Sequence, residues 1–197
     1  IQRYDQWSNS WNAGLDSMPY GRAGSSCAVV GDTLYVFGGY DWDSMVSRSC
    51  YAYNFDNNTW TMKDSMPTSR QFSAAVTVNR KIYVLGGVDT SLVNLATVEM
   101  YDPATGTWIT KTPMLTGRGG LGATNIGGRI YVFGGGWGTY LNTVEYYTPA
   151  ADTTGGITAA FAIAAALYRR ERNGEGEFID VSMLESTLVT MGWAVSN

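Results

Sequence analysis

The sequence predicts a mainly β fold: a partial β-propeller of about three four-stranded blades over residues 1–150, then a small α/β helix–strand–helix segment over 151–197. Three observations lead there. The pairs Gly38-Gly39, Gly86-Gly87 and Gly134-Gly135 recur every 48 residues. Met18, Met66 and Met114 keep that step, as do Arg22, Arg70 and Arg118, and Tyr35, Tyr83 and Tyr131. A fixed period near 50 residues with paired glycines is the mark of propeller blades. The repeat then stops after Thr148-Pro149-Ala150, and a different kind of sequence follows.

The second unit shows the order of elements. Phe72 to Val78 reads as a small apolar strand, with a turn at Asn79-Arg80. Lys81 to Leu85 alternates apolar and β-branched residues and ends at the glycine pair. A polar loop runs from Val88 to about Thr97, and Val98 to Tyr101 is a third strand. Asp102 to Gly106 is a Pro- and Gly-containing turn, and Thr107-Trp108-Ile109 opens a fourth strand. Short runs of Val, Ile, Tyr and Trp between Gly, Asn, Asp and Pro read as antiparallel β. Trp11, Trp60 and Trp108 each follow a tyrosine (Tyr4, Tyr53, Tyr101) by seven residues. These flat rings suit the space between neighbouring blades. The glycine pair suits a place where a Cβ is forbidden, near the convergence of the blades.

Composition narrows the function. The 197 residues are 45% hydrophobic and carry a net charge of −4, which argues against nucleic-acid binding, since that needs a basic face. The longest apolar run, Ile157 to Tyr168, is too short to span a bilayer, so no membrane partner is expected. The chain contains no histidine, which excludes a Ser-His-Asp or Cys-His nucleophile system within it and removes the commonest zinc and copper ligand. No metal site is expected. No signal peptide is read, and the start at Ile1 rather than Met is expected of a fragment. The compartment stays open, cytoplasmic if the last segment is a genuine enzyme part. Cys27 and Cys50 fall in the first and third strands of one blade, about 9.6 Å apart across two strand spacings. That is beyond disulfide reach, so two free thiols are expected.

The succession Gly-Gly, Tyr, Trp, Met, Arg resembles the kelch repeat over residues 1 to about 150. The resemblance implies a β-propeller, in that family typically of six or seven blades, that binds partners through loops at the ends of the barrel. This chain holds the tail of one blade, two complete units and three strands of another. It cannot close a ring, and its open edges should make it weakly cooperative, sticky or dimeric.

The loops after the glycine pairs differ most between copies. Tyr40, Asp41, Trp42 and Asp43 lie in the first, and Trp137 and Tyr140 in the third. Aromatics in polar loops are a common means of contacting protein or carbohydrate. Packing of these rings against adjacent blades is the competing and slightly favoured reading. Asp41 and Asp43 could help hold a cation, but two loop carboxylates are more often simply solvated. Gly117-Arg-Gly119-Gly-Leu-Gly122 fits a dinucleotide fingerprint but falls at an inter-blade turn before a strand, where that chemistry has no helix N-terminus. Asn57-Asn58-Thr59 is a glycosylation sequon at a place where a turn favours Asn anyway.

From Asp152 the period becomes helical through Ile157, Ala160, Phe161, Ala164, Leu167 and Tyr168, with Gly174 as a stop. Phe178 to Ser182 reads as a strand and Leu184 to Ala194 as a second helix. The runs Ala151-Asp-Thr-Thr-Gly-Gly156, Ala164-Ala-Ala-Leu167, Arg170-Glu-Arg-Asn-Gly-Glu-Gly176 and Ile179-Asp-Val-Ser-Met-Leu-Glu185 resemble family III CoA-transferases. The resemblance implies that Asp152 stands at the place of the nucleophilic aspartate and that the substrate of an intact parent is a coenzyme A thioester. No cofactor is expected in this chain. Because most of that catalytic domain is missing, a plain helix N-cap is the favoured role for Asp152 here. The expectation is a kelch-type binding module joined to an incomplete transferase segment, a chimera or truncated product inactive by itself. The alternative is an enzyme transferring CoA through an aspartyl-CoA thioester.

Overall fold

A computed structural model of the chain describes residues 1–149 apart from 13 and 44. The expected helix–strand–helix segment and Asp152 lie outside the described residues. Within them the chain is all β and forms four antiparallel sheets. β1 (Arg3–Asp5) and β2 (Ser10–Asn12) make a hairpin. β3 (Ser26–Val30), β4 (Thr33–Phe37), β5 (Cys50–Asn54) and β6 (Thr59–Lys63) form a four-stranded sheet in chain order. β7 (Ala74–Val78), β8 (Lys81–Leu85), β9 (Val98–Asp102) and β10 (Thr107–Lys111) form the next. β11 (Gly122–Ile126), β12 (Arg129–Phe133) and β13 (Val144–Tyr147) form a three-stranded sheet. The expected tail, two full units and three strands are therefore present.

The strand predicted from Phe72 begins two residues later, at Ala74, because Phe72 has a left-handed backbone with φ of 53°. The β7–β8 turn behaves as the dipeptide demands. Asn79 and Arg80 both have positive φ, 49° and 61°, the two-residue geometry that matches strand twist. At the β9–β10 turn the Gly106 N–H donates to the Asp102 carbonyl at 2.8 Å, with φ of 74° at the glycine.

The sheets stack through two apolar cores. Phe37, Tyr35, Cys50 and Met66 of the first four-stranded unit meet Ile82, Val84 and Tyr101 of the second. Val76, Tyr83, Leu85 and Met100 meet Leu121, Ile130 and Val132 of the third. Along β8 alternate residues therefore serve different cores: Ile82 and Val84 face one neighbour, Tyr83 and Leu85 the other. That is why β8 reads as a continuous apolar run. The first strands lie side by side: the Thr77 hydroxyl donates to the Val29 carbonyl at 2.8 Å, and the Asn125 amide to the Thr77 carbonyl at 3.0 Å.

The seven-residue Tyr–Trp spacing is a cross-strand pair. Tyr4 faces Trp11, Tyr53 faces Trp60 and Tyr101 faces Trp108, with ring centroids 5.5, 5.0 and 4.9 Å apart. Trp108 also crosses to the preceding sheet, meeting Phe37 edge-on at 5.7 Å.

Two arginines join the sheets. Arg70 and Arg118 are fully buried. The Arg70 carbonyl accepts from the Gly39 N–H of the preceding sheet at 2.9 Å, and the Arg118 carbonyl from that of Gly87 at 2.7 Å. Their guanidinium groups turn into the following sheet. Arg70 donates to the Gly86 carbonyl at 2.8 Å and the Thr97 carbonyl at 3.2 Å, and pairs with Glu99 at 2.9 Å. Arg118 repeats this with Gly134 and Thr143, at 2.8 and 2.9 Å, and with Glu145 at 2.7 Å. Burial lowers the proton affinity of the Arg70 guanidinium, and the Glu99 carboxylate counters it. Burial raises the Glu145 carboxyl, but bonds from Arg118 and the Leu115 N–H outweigh it and hold it below the ordinary carboxylate value.

Removing one member of a buried ion pair leaves the other uncompensated, at a cost of about 3–5 kcal/mol. Arg70→Met should therefore lower the denaturation free energy by roughly that much, while Arg70→Met with Glu99→Leu recovers most of it. Urea melts of both variants check this, and equal losses in the two would refute it.

The cysteines are free, and the sheet order explains why. Cys27 on β3 and Cys50 on β5 flank β4 on opposite sides. Cys27 is exposed, whereas Cys50 is buried and burial pushes its thiol up to about 12. At pH 8 a thiol reagent should react with Cys27 in the native protein and with Cys50 only on unfolding, because the thiolate is the reactive form. Titration of the unreduced protein with and without denaturant reads both, and a protein with no free thiol would contradict the topology.

Candidate functional site

The loops after the glycine pairs are set by the same local chemistry. Asp41 accepts from the Met45 N–H at 3.0 Å, and Asp89, one repeat later, from the Ser91 and Val93 N–H groups at 2.8 and 2.9 Å. Asp side chains that capture backbone N–H groups in this way tighten loops. The third loop has Trp137 at that place and is held from outside instead. Asn94 donates to the Trp137 carbonyl at 3.1 Å and accepts from its N–H at 2.8 Å.

The predicted site residues divide into two groups. Tyr40 and Trp137 pack, and what they pack on is Phe72, which the sequence reading placed in a strand. Phe72 stacks on Trp137 at 5.1 Å with planes 15° apart and meets Tyr40 at 5.9 Å. The preceding and following repeats have glycine here, Gly24 and Gly120. All three have positive φ, and their backbones are linked: the Phe72 N–H donates to the Gly24 carbonyl at 2.7 Å, and the Gly120 N–H to the Phe72 carbonyl at 2.8 Å. The signal that could have found Phe72 is a lone aromatic at a position that is glycine in the other repeats.

Trp42 and Tyr140 do not pack. They are 99% and 95% exposed, which corrects the favoured packing reading for these two rings. Asp43 is also exposed. Asp41 is committed elsewhere: one oxygen holds Met45, and the other pairs with Arg22 at 3.6 Å. Among the described residues no group of three His, Cys, Asp or Glu side chains could hold a metal.

Arg22 is the sequence counterpart of Arg70 and Arg118 but does a different job. The acid that receives the guanidinium, Glu99 or Glu145, is replaced by Tyr51 in the first unit. Arg22 turns instead to Asp41 in the loop. Arg22, Tyr40, Asp41 and Trp42, with Gly21 and Ala23, line a cleft of about 400 Å³. The arrangement offers a cation paired with a carboxylate, an exposed indole and an aromatic tier. It can take an extended polar chain with an aromatic or aliphatic anchor. The Gly117–Gly122 stretch leads directly into β11, so it opens no helix that could hold a phosphate.

Successive four-stranded antiparallel sheets, each joined to the next at a glycine pair and an arginine, define a β-propeller-type repeat protein. Residues 3–157 match the model of the KLHDC2/KLHL20/DRC7 Kelch-repeats domain, and the chain belongs to this kelch-repeat family. Residues 127–197 match CoA-transferase family III. A 48-residue stretch, 24% of this chain, is 46% identical to acetyl-CoA:oxalate CoA-transferase of Acetobacter aceti. That stretch spans 12% of the length of the curated relative it matches.

Proposed function

We propose that the chain works as a kelch-type binding module over residues 1–150, with the transferase segment over 151–197 an incomplete piece of its parent enzyme. The reading of a chimera or truncated product rests on the repeat ending at Ala150, one strand short of a complete unit. The observation that supports binding is the nearly complete exposure of Trp42, which lines the Arg22–Asp41 cleft, and of Tyr140 in the third loop. An exposed indole in a loop held by its neighbouring aspartate is the kind of anchor that dominates protein contacts. A protein segment fits best, because the Arg22–Asp41 pair offers both charges to a peptide; carbohydrate on the aromatic rings is the second choice. Neither nucleic acid nor a membrane is a partner in this reading.

Peptides selected on the protein from a random display library should lose about 30-fold in affinity or more with Trp42→Ala, the scale of an interface hot spot. The melting temperature should not move, since the indole touches little of the fold. Selection of glycans but not peptides would move the assignment to carbohydrate. Binding unaffected by both Trp42→Ala and Tyr140→Ala would remove these loops from the site.

The identity to a CoA-transferase supports the enzyme reading as the second one. In such chemistry an aspartate carboxylate attacks the acyl-CoA thioester, giving a mixed anhydride and CoA thiolate. The thiolate then attacks the aspartyl carbonyl and releases the acyl carboxylate. The resulting aspartyl-CoA thioester passes CoA to the acceptor acid. Asp152 is the proposed nucleophile of the parent. The reaction needs a pocket that positions the carbonyl and shields the anhydride from water, built from far more chain than the matched segment supplies. Acetyl-CoA with oxalate should give no transfer, and hydroxylamine should trap no aspartyl intermediate. Turnover that vanishes in Asp152→Ala would make the enzyme reading primary.

A further inference from the structure

The cleft beside β13 repeats an arrangement that the preceding sheet completes. On β10 the Trp108 indole lies against Phe37 and Tyr101, and its Nε1 donates to the Asp64 carbonyl at 2.8 Å. On β6 the Trp60 indole lies against Tyr53, and its Nε1 donates to the Asp16 carbonyl at 3.2 Å. One repeat further on, the counterparts of Phe37, Asp64 and Tyr101 are Leu85, Thr112 and Tyr147. Tyr147 is placed by register, because Ile130 faces Tyr147 as Ile82 faces Tyr101. Leu85, Thr112 and Tyr147 line a cleft of about 410 Å³ together with Val98, Met114 and Val144. Among the described residues β13 pairs with β12 alone, and none of the described strands lies at its other edge.

The chain also carries a fourth strand without a full sheet. β2 holds Trp11 opposite Tyr4, in the register of Trp60 opposite Tyr53. Trp11 is 68% exposed, and the β1–β2 hairpin stands as a sheet of its own. Isolated two-stranded hairpins are marginal in water.

We propose that two copies of the chain associate by strand exchange: β2 of the second copy leaves its hairpin, pairs antiparallel with β13 and seats its Trp11 indole in the cleft. This deepens the reading of the chain as an open kelch domain and is independent of the loop site. The β13 edge provides the backbone ladder, as in other strand-addition complexes. The cleft provides the register, because an indole opposite Tyr147 lies over Leu85 with its N–H at the Thr112 carbonyl. The second copy is the fitting occupant because donor and acceptor come from one repeat and share the Tyr–Trp pairing. Each copy holds one donor and one acceptor, so two reciprocal exchanges close a twofold dimer of six four-stranded sheets.

The test is the mass of the full chain by size-exclusion chromatography with light scattering across a wide concentration range. A dimer is expected. Trp11→Ala should weaken it about 30-fold or more. Val144→Asp changes a side chain 63% exposed on the cleft rim and should do the same from the acceptor side. Mixing the two monomeric variants should restore a dimer, since one keeps the acceptor and the other the donor. That recovery also shows that neither variant is simply misfolded. A monomeric wild-type chain, a dimer indifferent to Trp11→Ala, or no recovery on mixing would each overturn the proposal. Trp42→Ala should leave the dimer intact, which separates this result from that of the loop site.

Discussion

A guanidinium with no access to water governs the way these sheets meet. Arg70 and Arg118 each give their peptide carbonyl to the sheet behind and their side chain to the sheet ahead. A buried cation tolerates little displacement, because each lost partner exposes charge to a medium of low dielectric. The other repeated residues follow from it. The glycine pair must lack side chains: a Cβ on Gly86 would stand 2.5 Å from the Arg118 carbonyl and 3.0 Å from the Met114 methyl. The methionine fills the space beside that glycine. Residues scattered along the repeat, Met, Arg and Gly-Gly, thus belong to a single joint between sheets.

The candidate site arises where this rule is relaxed. With Tyr51 in place of the acid, Arg22 is released toward Asp41 and becomes part of the cleft beside Trp42. Phe72 is a second departure. A non-glycine residue held at positive φ costs on the order of 1–3 kcal/mol. Its ring contacts with Tyr40 and Trp137 are worth about 0.5–1.5 kcal/mol each beyond the area they bury. Gain and cost are of one size, so the aromatic tier can hold Phe72 where the neighbouring repeats use glycine.

The two family matches overlap between residues 127 and 157. Where the structure describes this overlap, the strands keep the repeat: β12 and β13 pair in the register of β8 and β9, and Glu145 receives Arg118 as Glu99 receives Arg70. Up to Tyr147 the packing is that of the kelch domain.

The sequence by itself determined the architecture of residues 1–149. A period of 48, alternating apolar residues and glycine–asparagine turns act over short range, and each leaves a visible pattern. Strand order, the free thiols and the Tyr–Trp pairs all follow from that pattern. The resemblance to two families was equally legible, because runs of residues carry it. Tertiary structure decided the rest. Whether a loop aromatic packs or points to solvent depends on a ring from another repeat, and no local signal separates Trp137, stacked on Phe72, from Trp42, which stands free. Of three arginines identical in spacing, Arg70 and Arg118 share one role and Arg22 takes another, because their partners lie 19 to 29 residues away, at Asp41, Glu99 and Glu145. Burial and charge pairing are properties of what the fold brings together, and only the assembled sheets bring these groups within reach.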